Sequence, residues 1–146
     1  MTQMQRISPM QHTELFNNRS QGKLPEHLGM AITQVLDREV RAEMPIKPFH
    51  LAPNGFLHAG SIVTLADTTA GFGSFATLPE GASGFTTVEL KSNFLGTARD
   101  GTLEARATLS HGGRTTQVWD ATVTHRETGK TLALFRCTQM ILYGKG

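Results

Sequence analysis

Apolar and polar positions change rhythm along this chain, and each rhythm predicts an element. Over about 61–75 the positions Ile62, Leu65, Ala66, Thr69 and Phe72, continuing to Ala76, fall three and four apart, which is the helical period. Val63, Ala70 and Phe75 make the other sides apolar too, so a buried helix is expected. After Leu78-Pro79-Glu80-Gly81 the period drops to two. Val88, Leu90, Ser92 and Phe94 read as one face of a strand, with Thr87, Glu89, Lys91 and Asn93 on the other. Leu103, Ala105, Ala107 and Leu109 alternate with Glu104, Arg106 and Thr108, and further strands are predicted over 117–126 and 131–142. Asp100-Gly101, His111-Gly112-Gly113-Arg114 and Glu127-Thr128-Gly129-Lys130 supply the turns.

The N-terminal part is less regular. Residues 1–7 read as a frayed tail, and Ser8-Pro9 opens a short helix, with Ser8 as N-cap and Pro9 at the first helical position. Residues 24–29 punctuate the chain. Residues 30–44 keep an imperfect period of two, as two strand segments or one bulged strand would. Pro45, Pro48 and Pro53 keep 45–57 extended and irregular. The sum is a single α+β domain over 1–146, with a tail and short helix at 1–23 and a core at 24–142: one long buried helix and a curved antiparallel sheet ending in a four-strand meander.

Asp67 is the anomaly in that pattern. An ionised carboxylate inside an apolar helix is costly unless something satisfies it, and no basic residue lies three or four positions away. Its helical neighbours Gly60, Val63, Thr64, Gly71 and Ser74 include the small and polar positions, so it faces a place of close approach. The helix start at His58-Ala59-Gly60-Ser61 offers unpaired backbone N–H groups and the positive end of the dipole. Backbone donors together with a carboxylate suit acyl transfer: the donors hold an oxyanion, and the acid attacks or activates water.

These residues carry a resemblance. Asn54-Gly55-Phe56-Leu57-His58-Ala59-Gly60 followed by Leu65-Ala66-Asp67-Thr68 resembles the signature of hotdog-fold acyl-CoA thioesterases of the phenylacetate-degradation (PaaI-like) type, and the stretch 84–95 and Gly113-Arg114 are similar too. The resemblance covers roughly 24–142. It implies the hotdog fold, Asp67 as base or nucleophile, the Ala59 N–H on the thioester carbonyl, His58 orienting that carbonyl or the helix start, and Thr87 facing the site of a partner subunit. It also implies a homodimer or homotetramer with sites between subunits. Gly60, Asn54 and Thr87 join the expected catalytic set; Thr68, Phe85, Arg99, Arg114 and Lys130 are the expected substrate contacts, the cations for coenzyme A phosphates. Two positions depart from the family: Ala59 where glycine is usual, and Ala52 where an amide often stands, which Asn54 or His50 would have to replace.

Composition narrows the alternatives. Hydrophobic residues at 38% and charged ones at 18% mark a globular chain. A net charge of +2 without basic–aromatic stripes argues against nucleic acid. The single cysteine, Cys137, excludes an internal disulfide, fits a cytoplasmic location and reads as a core residue; no apolar run suggests a membrane span. The six histidines form no metal-binding pattern, and no cofactor is expected beyond the coenzyme A carried by the substrate. Trp119 reads as packing. Phe56, Phe72, Phe75 and Phe85 suit an aryl or medium-chain acyl group. The competing readings are a hotdog hydratase or dehydratase, whose His-x-Gly-x-Pro loop is absent, and a non-catalytic acyl-CoA binding domain, which would have no use for Asp67.

Overall fold

Ser8 caps the first helix, α1 (Pro9–Arg19), by accepting the Gln11 N–H at 3.2 Å while the Gln11 side chain accepts the Ser8 N–H at 2.7 Å. The computed structural model describes residues 8–144, so the expected tail at 1–7 lies outside the described residues. A one-turn helix, α2 (Leu24–His27), stands where the sequence suggested only punctuation. Strands β1 (Ala31–Leu36) and β2 (Glu39–Pro45) form a hairpin with an irregularity between Ile32 and Gln34, which explains the imperfect period. A single 3-10 turn at Pro48–His50 leads to the long helix α3 (Ala59–Ala76). Strands β3 (Gly84–Phe94), β4 (Thr102–Gly112), β5 (Thr116–His125) and β6 (Thr131–Leu142) complete the chain.

The six strands form one antiparallel sheet in the order β1-β2-β4-β5-β6-β3. The expected four-strand meander is therefore corrected to three, β4-β5-β6, because β3 pairs with β6 and not with the strand that follows it. This leaves β3 as an edge strand. No described helix is long and apolar enough to cross a membrane.

The sheet packs on one side of α3 only. Ile62, Leu65, Ala66, Thr69, Ala70 and Gly73 are buried, whereas Val63, Thr64, Asp67, Thr68 and Gly71 are half-buried. The expectation of a helix buried all round is thus corrected: within one chain the Asp67 side is partly open. The buried side meets Leu103, Ala105, Ala107, Trp119, Val123 and Phe135 in a single core. Trp119 sets the closest approach. A Cβ at residue 73 would lie 2.5 Å from its ring, so only glycine fits there. The indole is held in place: its N–H donates to Gln117 Oε1 at 2.9 Å, and the Gln117 amide donates to the Thr77 carbonyl at 3.0 Å, just past the end of α3.

The two helix glycines therefore differ. A Cβ at residue 71 would meet Phe85 at an ordinary 3.6 Å. Gly71→Ala should hold or raise stability, since alanine gains up to about 1 kcal/mol in helix propensity. Gly73→Ala should lower it, because overpacking typically costs about 1–3 kcal/mol. Urea unfolding of the two variants checks this; the reverse order of stability would contradict the packing described.

Candidate active site

The start of α3 is built from the preceding loop. The His50 ring is fully buried and fixed at both nitrogens: Nδ1 accepts the Lys47 N–H at 2.9 Å, and Nε2 lies 2.8 Å from the Leu28 carbonyl, to which it donates. Its carbonyl then accepts the His58 N–H at 3.0 Å and the Ser61 hydroxyl at 2.9 Å. His50 is thus a scaffold residue, and it does not replace the amide missing at Ala52. Asn54 sits in the turn that follows. It is exposed, and its Oδ1 accepts the Phe56 N–H at 3.1 Å inside a turn that continues through Gly55 at φ +86°.

His58 is the N-cap of α3. Its Nδ1 accepts the Gly60 N–H at 2.7 Å, so the neutral ring carries its proton on Nε2. A Cβ at residue 60 would lie 2.9 Å from that same Nδ1, so the second residue after the cap is glycine. The Gly60 donor is consumed in this way. The Ala59 N–H has no acceptor among the described residues, and Ala59 is exposed. Of the two backbone donors expected at the helix start, only the Ala59 N–H is open.

Asp67 lies eight residues further along the same helix. Among the described residues its Oδ1 is the one buried side-chain polar atom without a hydrogen-bond partner. Desolvation by burial raises its pKa above the ordinary carboxylate value. Burial first, and then the nearby Asp67 charge, push the Cys137 thiol up to about 12, so it stays neutral and is no nucleophile. One sequence expectation fails on distance. At a rise of about 1.5 Å per residue, eight residues separate Ala59 from Asp67 by about 12 Å along the axis, and the aspartate side chain recovers little of it. The donor and the acid of one helix do not converge on one carbonyl group.

A bulge decides the placement of Thr87. Thr87 pairs with Gln139 and Glu89 with Thr138, so Val88 is the extra residue. Phe85, Thr87, Leu90, Ser92 and Phe94 consequently lie opposite Ile141, Gln139, Cys137, Phe135 and Ala133, the buried side of β6. The strict alternation that set Thr87 with Glu89, and Val88 with Leu90, is corrected at this point. The Thr87 hydroxyl donates to Gln139 Oε1 at 2.6 Å, and the fully buried Gln139 amide lies 3.6 Å from Cys137 Sγ. Gln139 had no signal in the sequence beyond being polar at an apolar position of its strand.

The expected substrate contacts divide. Thr68 and Phe85 come together with Gly71, Phe72, Phe75 and Arg19 around one cavity of about 250 Å³. Phe56 is elsewhere, under the Arg99 guanidinium at 4.8 Å in the loop before α3. Arg99 and Lys130 share one end of the sheet, tied by His125, whose N–H donates to the Lys130 carbonyl at 2.9 Å and whose Nε2 lies 2.8 Å from the Asp100 carbonyl. Arg114 is at the other end, against Tyr143 and near the C-terminus of α3. The three cations do not form one patch within a chain.

The chain matches the family described as Thioesterase superfamily over residues 54–132, a span that contains His58, Ala59, Asp67 and Thr87. It is 31% identical over 115 residues to a 1,4-dihydroxy-2-naphthoyl-CoA hydrolase of Listeria monocytogenes, covering 79% of this chain and 92% of that protein. Among solved structures, a mutant thioesterase of Pseudomonas aeruginosa superposes with a TM-score of 0.86 at 28% identity, covering 94% of this chain and 96% of the other. The E. coli PaaI protein shares the fold, with a TM-score of 0.79 at 23% identity, covering 94% and 99%. The chain belongs to the thioesterase superfamily and has the hotdog fold. It is a thioester hydrolase, and acyl-CoA thioesters are the general substrates that this membership carries.

The raised pKa of Asp67 fixes a sign. A carboxyl whose folded pKa lies above its unfolded value costs stability once ionised. The cost is absent below the ordinary value of 3.8 and complete above the raised one. Asp67→Asn should therefore be at least as stable as the parent near neutral pH, with the advantage shrinking as pH falls through that window. Paired thermal melts across pH check this. An Asn variant that is less stable at neutral pH would mean that the carboxylate is satisfied in the fold.

Proposed function

We propose that the protein hydrolyses the thioester of a small, medium-chain or aryl acyl-CoA, with Asp67 as base or nucleophile and the Ala59 N–H as the oxyanion donor. The observation that carries this reading is the unpartnered, half-buried Asp67 carboxylate on the open side of α3. A fold does not keep an unsatisfied buried acid for stability. As base, Asp67 takes a proton from the water that attacks the thioester carbon and passes it to the departing sulfur; as nucleophile, it attacks that carbon itself, coenzyme A leaves as a thiolate that takes a proton from water, and a second water hydrolyses the acyl–aspartyl anhydride. In both routes the carbonyl oxygen gathers negative charge against a backbone N–H, and the products are the coenzyme A thiol and a carboxylate.

The distance between Ala59 and Asp67 along one helix requires a second copy. A helix running the other way in a partner subunit would bring one chain's N-terminus beside the other's Asp67. The open features of the single chain agree with this. The edge strand β3 has 11 residues and exposes Val88 (52%), Leu90 (42%) and Phe94 (46%), an apolar edge that calls for pairing or cover. We therefore assign the active form as at least a homodimer with the two sites between subunits. Thr87 is exposed and spends its hydroxyl proton on Gln139, so its oxygen suits accepting a hydrogen bond from water or substrate. Arg99 and Lys130, at the end of the sheet near the helix start, suit the coenzyme A phosphates better than Arg114 does. The aromatic side chains of the cavity beyond Asp67, and the aryl acyl group in the name of the Listeria relative, favour an aryl substrate.

Thiol release from a panel of acyl-CoAs tests the reading. Asp67→Asn should remain folded and lose about 10²–10⁴-fold in kcat, the usual contribution of a positioned acid or base, with a smaller change in KM. Full turnover by a folded Asp67→Asn protein would remove Asp67 from the chemistry.

A further inference from the structure

The Asp67 side of α3 continues, one turn toward the C-terminus, into the cavity of about 250 Å³. Its lining is Thr68, Gly71, Phe72 and Phe75 of α3, Phe85 of β3 and, from the N-terminal helix, Arg19. α1 is docked there by aromatic packing: Phe16, fully buried, stacks on Phe72 at 4.6 Å and meets Phe75 edge-on at 6.2 Å. Arg19, in the last turn of α1, is thereby carried to the rim. Its guanidinium lies 4.3 Å from the centre of the Phe75 ring, and it pairs with no carboxylate among the described residues. It is the one charged side chain of the lining; the rest is aromatic or small. The cavity is smaller than the roughly 300–1,000 Å³ of sites for drug-sized ligands, so it suits the far part of an acyl group and not a whole coenzyme.

A planar guanidinium resting on one aromatic wall offers its donors to a planar anion lying in the same slot. We propose that Arg19 is a specificity-determining residue, selecting aromatic acyl groups whose end distal to the thioester carries an anionic, hydrogen-bond-accepting substituent. This rests on the thioesterase reading above, with the reacting carbonyl at Asp67 and the acyl group extending along α3 past Gly71. α1 precedes the segment that matches the family, so the selecting group is supplied by a part of the chain outside that matched span.

The test compares kcat/KM for benzoyl-CoA and 4-carboxybenzoyl-CoA, which differ only in the distal carboxylate. The wild-type protein should favour the carboxylated substrate. Arg19→Met keeps the apolar stem and should lower the ratio of the two values about tenfold or more, the size expected for losing a charge-assisted hydrogen bond. Arg19→Lys should keep part of the preference, which guards against a variant that fails to fold. Gly71→Ala, which puts a methyl into the cavity, should lower both aryl activities relative to acetyl-CoA. An unchanged ratio in Arg19→Met, or an equal loss on both substrates, overturns the proposal and leaves the thioesterase reading standing. A wild-type protein that hydrolyses neither aryl substrate but releases thiol from a medium-chain acyl-CoA such as octanoyl-CoA overturns this inference alone; one that releases thiol from none of the four overturns the thioesterase reading, and this inference with it.

Discussion

One carbonyl oxygen, that of His50, receives both the His58 N–H at 3.0 Å and the Ser61 hydroxyl at 2.9 Å, and so fixes where the long helix begins. The ring of the same residue is locked between Lys47 and Leu28, which ties that point to the segments before β1 and after β2. The other end of the helix is set by Gly73, where the Trp119 ring leaves no room for a methyl. Between these two pins α3 has little freedom to slide or turn. Ala59, with its open N–H, and Asp67, with its unpartnered oxygen, therefore hold fixed positions on its uncovered side. Rigidity of this kind is what electrostatic catalysis needs, because donors that are already aimed cost nothing to reorganise during the reaction.

Much of this was legible in the sequence, for identifiable physical reasons. The helix over 61–75 and the last strand over 131–142 were readable because their apolar periods are long and unbroken, and the capping of α1 because Ser8-Pro9 is a local signal. Asp67 stood out because a charge in an apolar helix contradicts its surroundings. What escaped were features that depend on pairing. The bulge at Val88 inserts one residue and turns Thr87 toward the helix side, and no period count reveals such an insertion. The position of β3 beside β6 is likewise a property of the sheet and not of either strand alone. His50 looked like a spare polar group because its partners lie in residues 28 and 47, distant in the sequence. The cavity wall from α1 was unreadable for the same reason, since Phe16 meets Phe72 and Phe75 only in the folded chain.

The proposed chemistry rests on two polar groups left unmatched on an otherwise well-satisfied helix. His58 uses its ring to satisfy Gly60 and so leaves Ala59 as the open donor. Burial raises the Asp67 pKa while leaving Oδ1 without a partner, which makes the acid a better base than an exposed carboxylate. The straightness of a single helix keeps these groups about 12 Å apart. On the proposed reading, that constraint asks for a second chain to complete the site, and cover by that chain would suit the apolar edge of β3.

Subunit complementation tests this central claim most directly. Ala59→Pro removes only the N–H: proline is favoured at the first helical position, and His58, at φ −69° and ψ 133°, already has the extended backbone that precedes proline. Ala59→Pro and Asp67→Asn should each be nearly inactive as homo-oligomers. Mixed and allowed to exchange subunits, they should recover about a quarter of the wild-type sites, because each mixed dimer of a two-fold pair holds one intact site. No recovery from a mixture shown to contain mixed dimers would mean that donor and acid act within one chain, and would contradict the account.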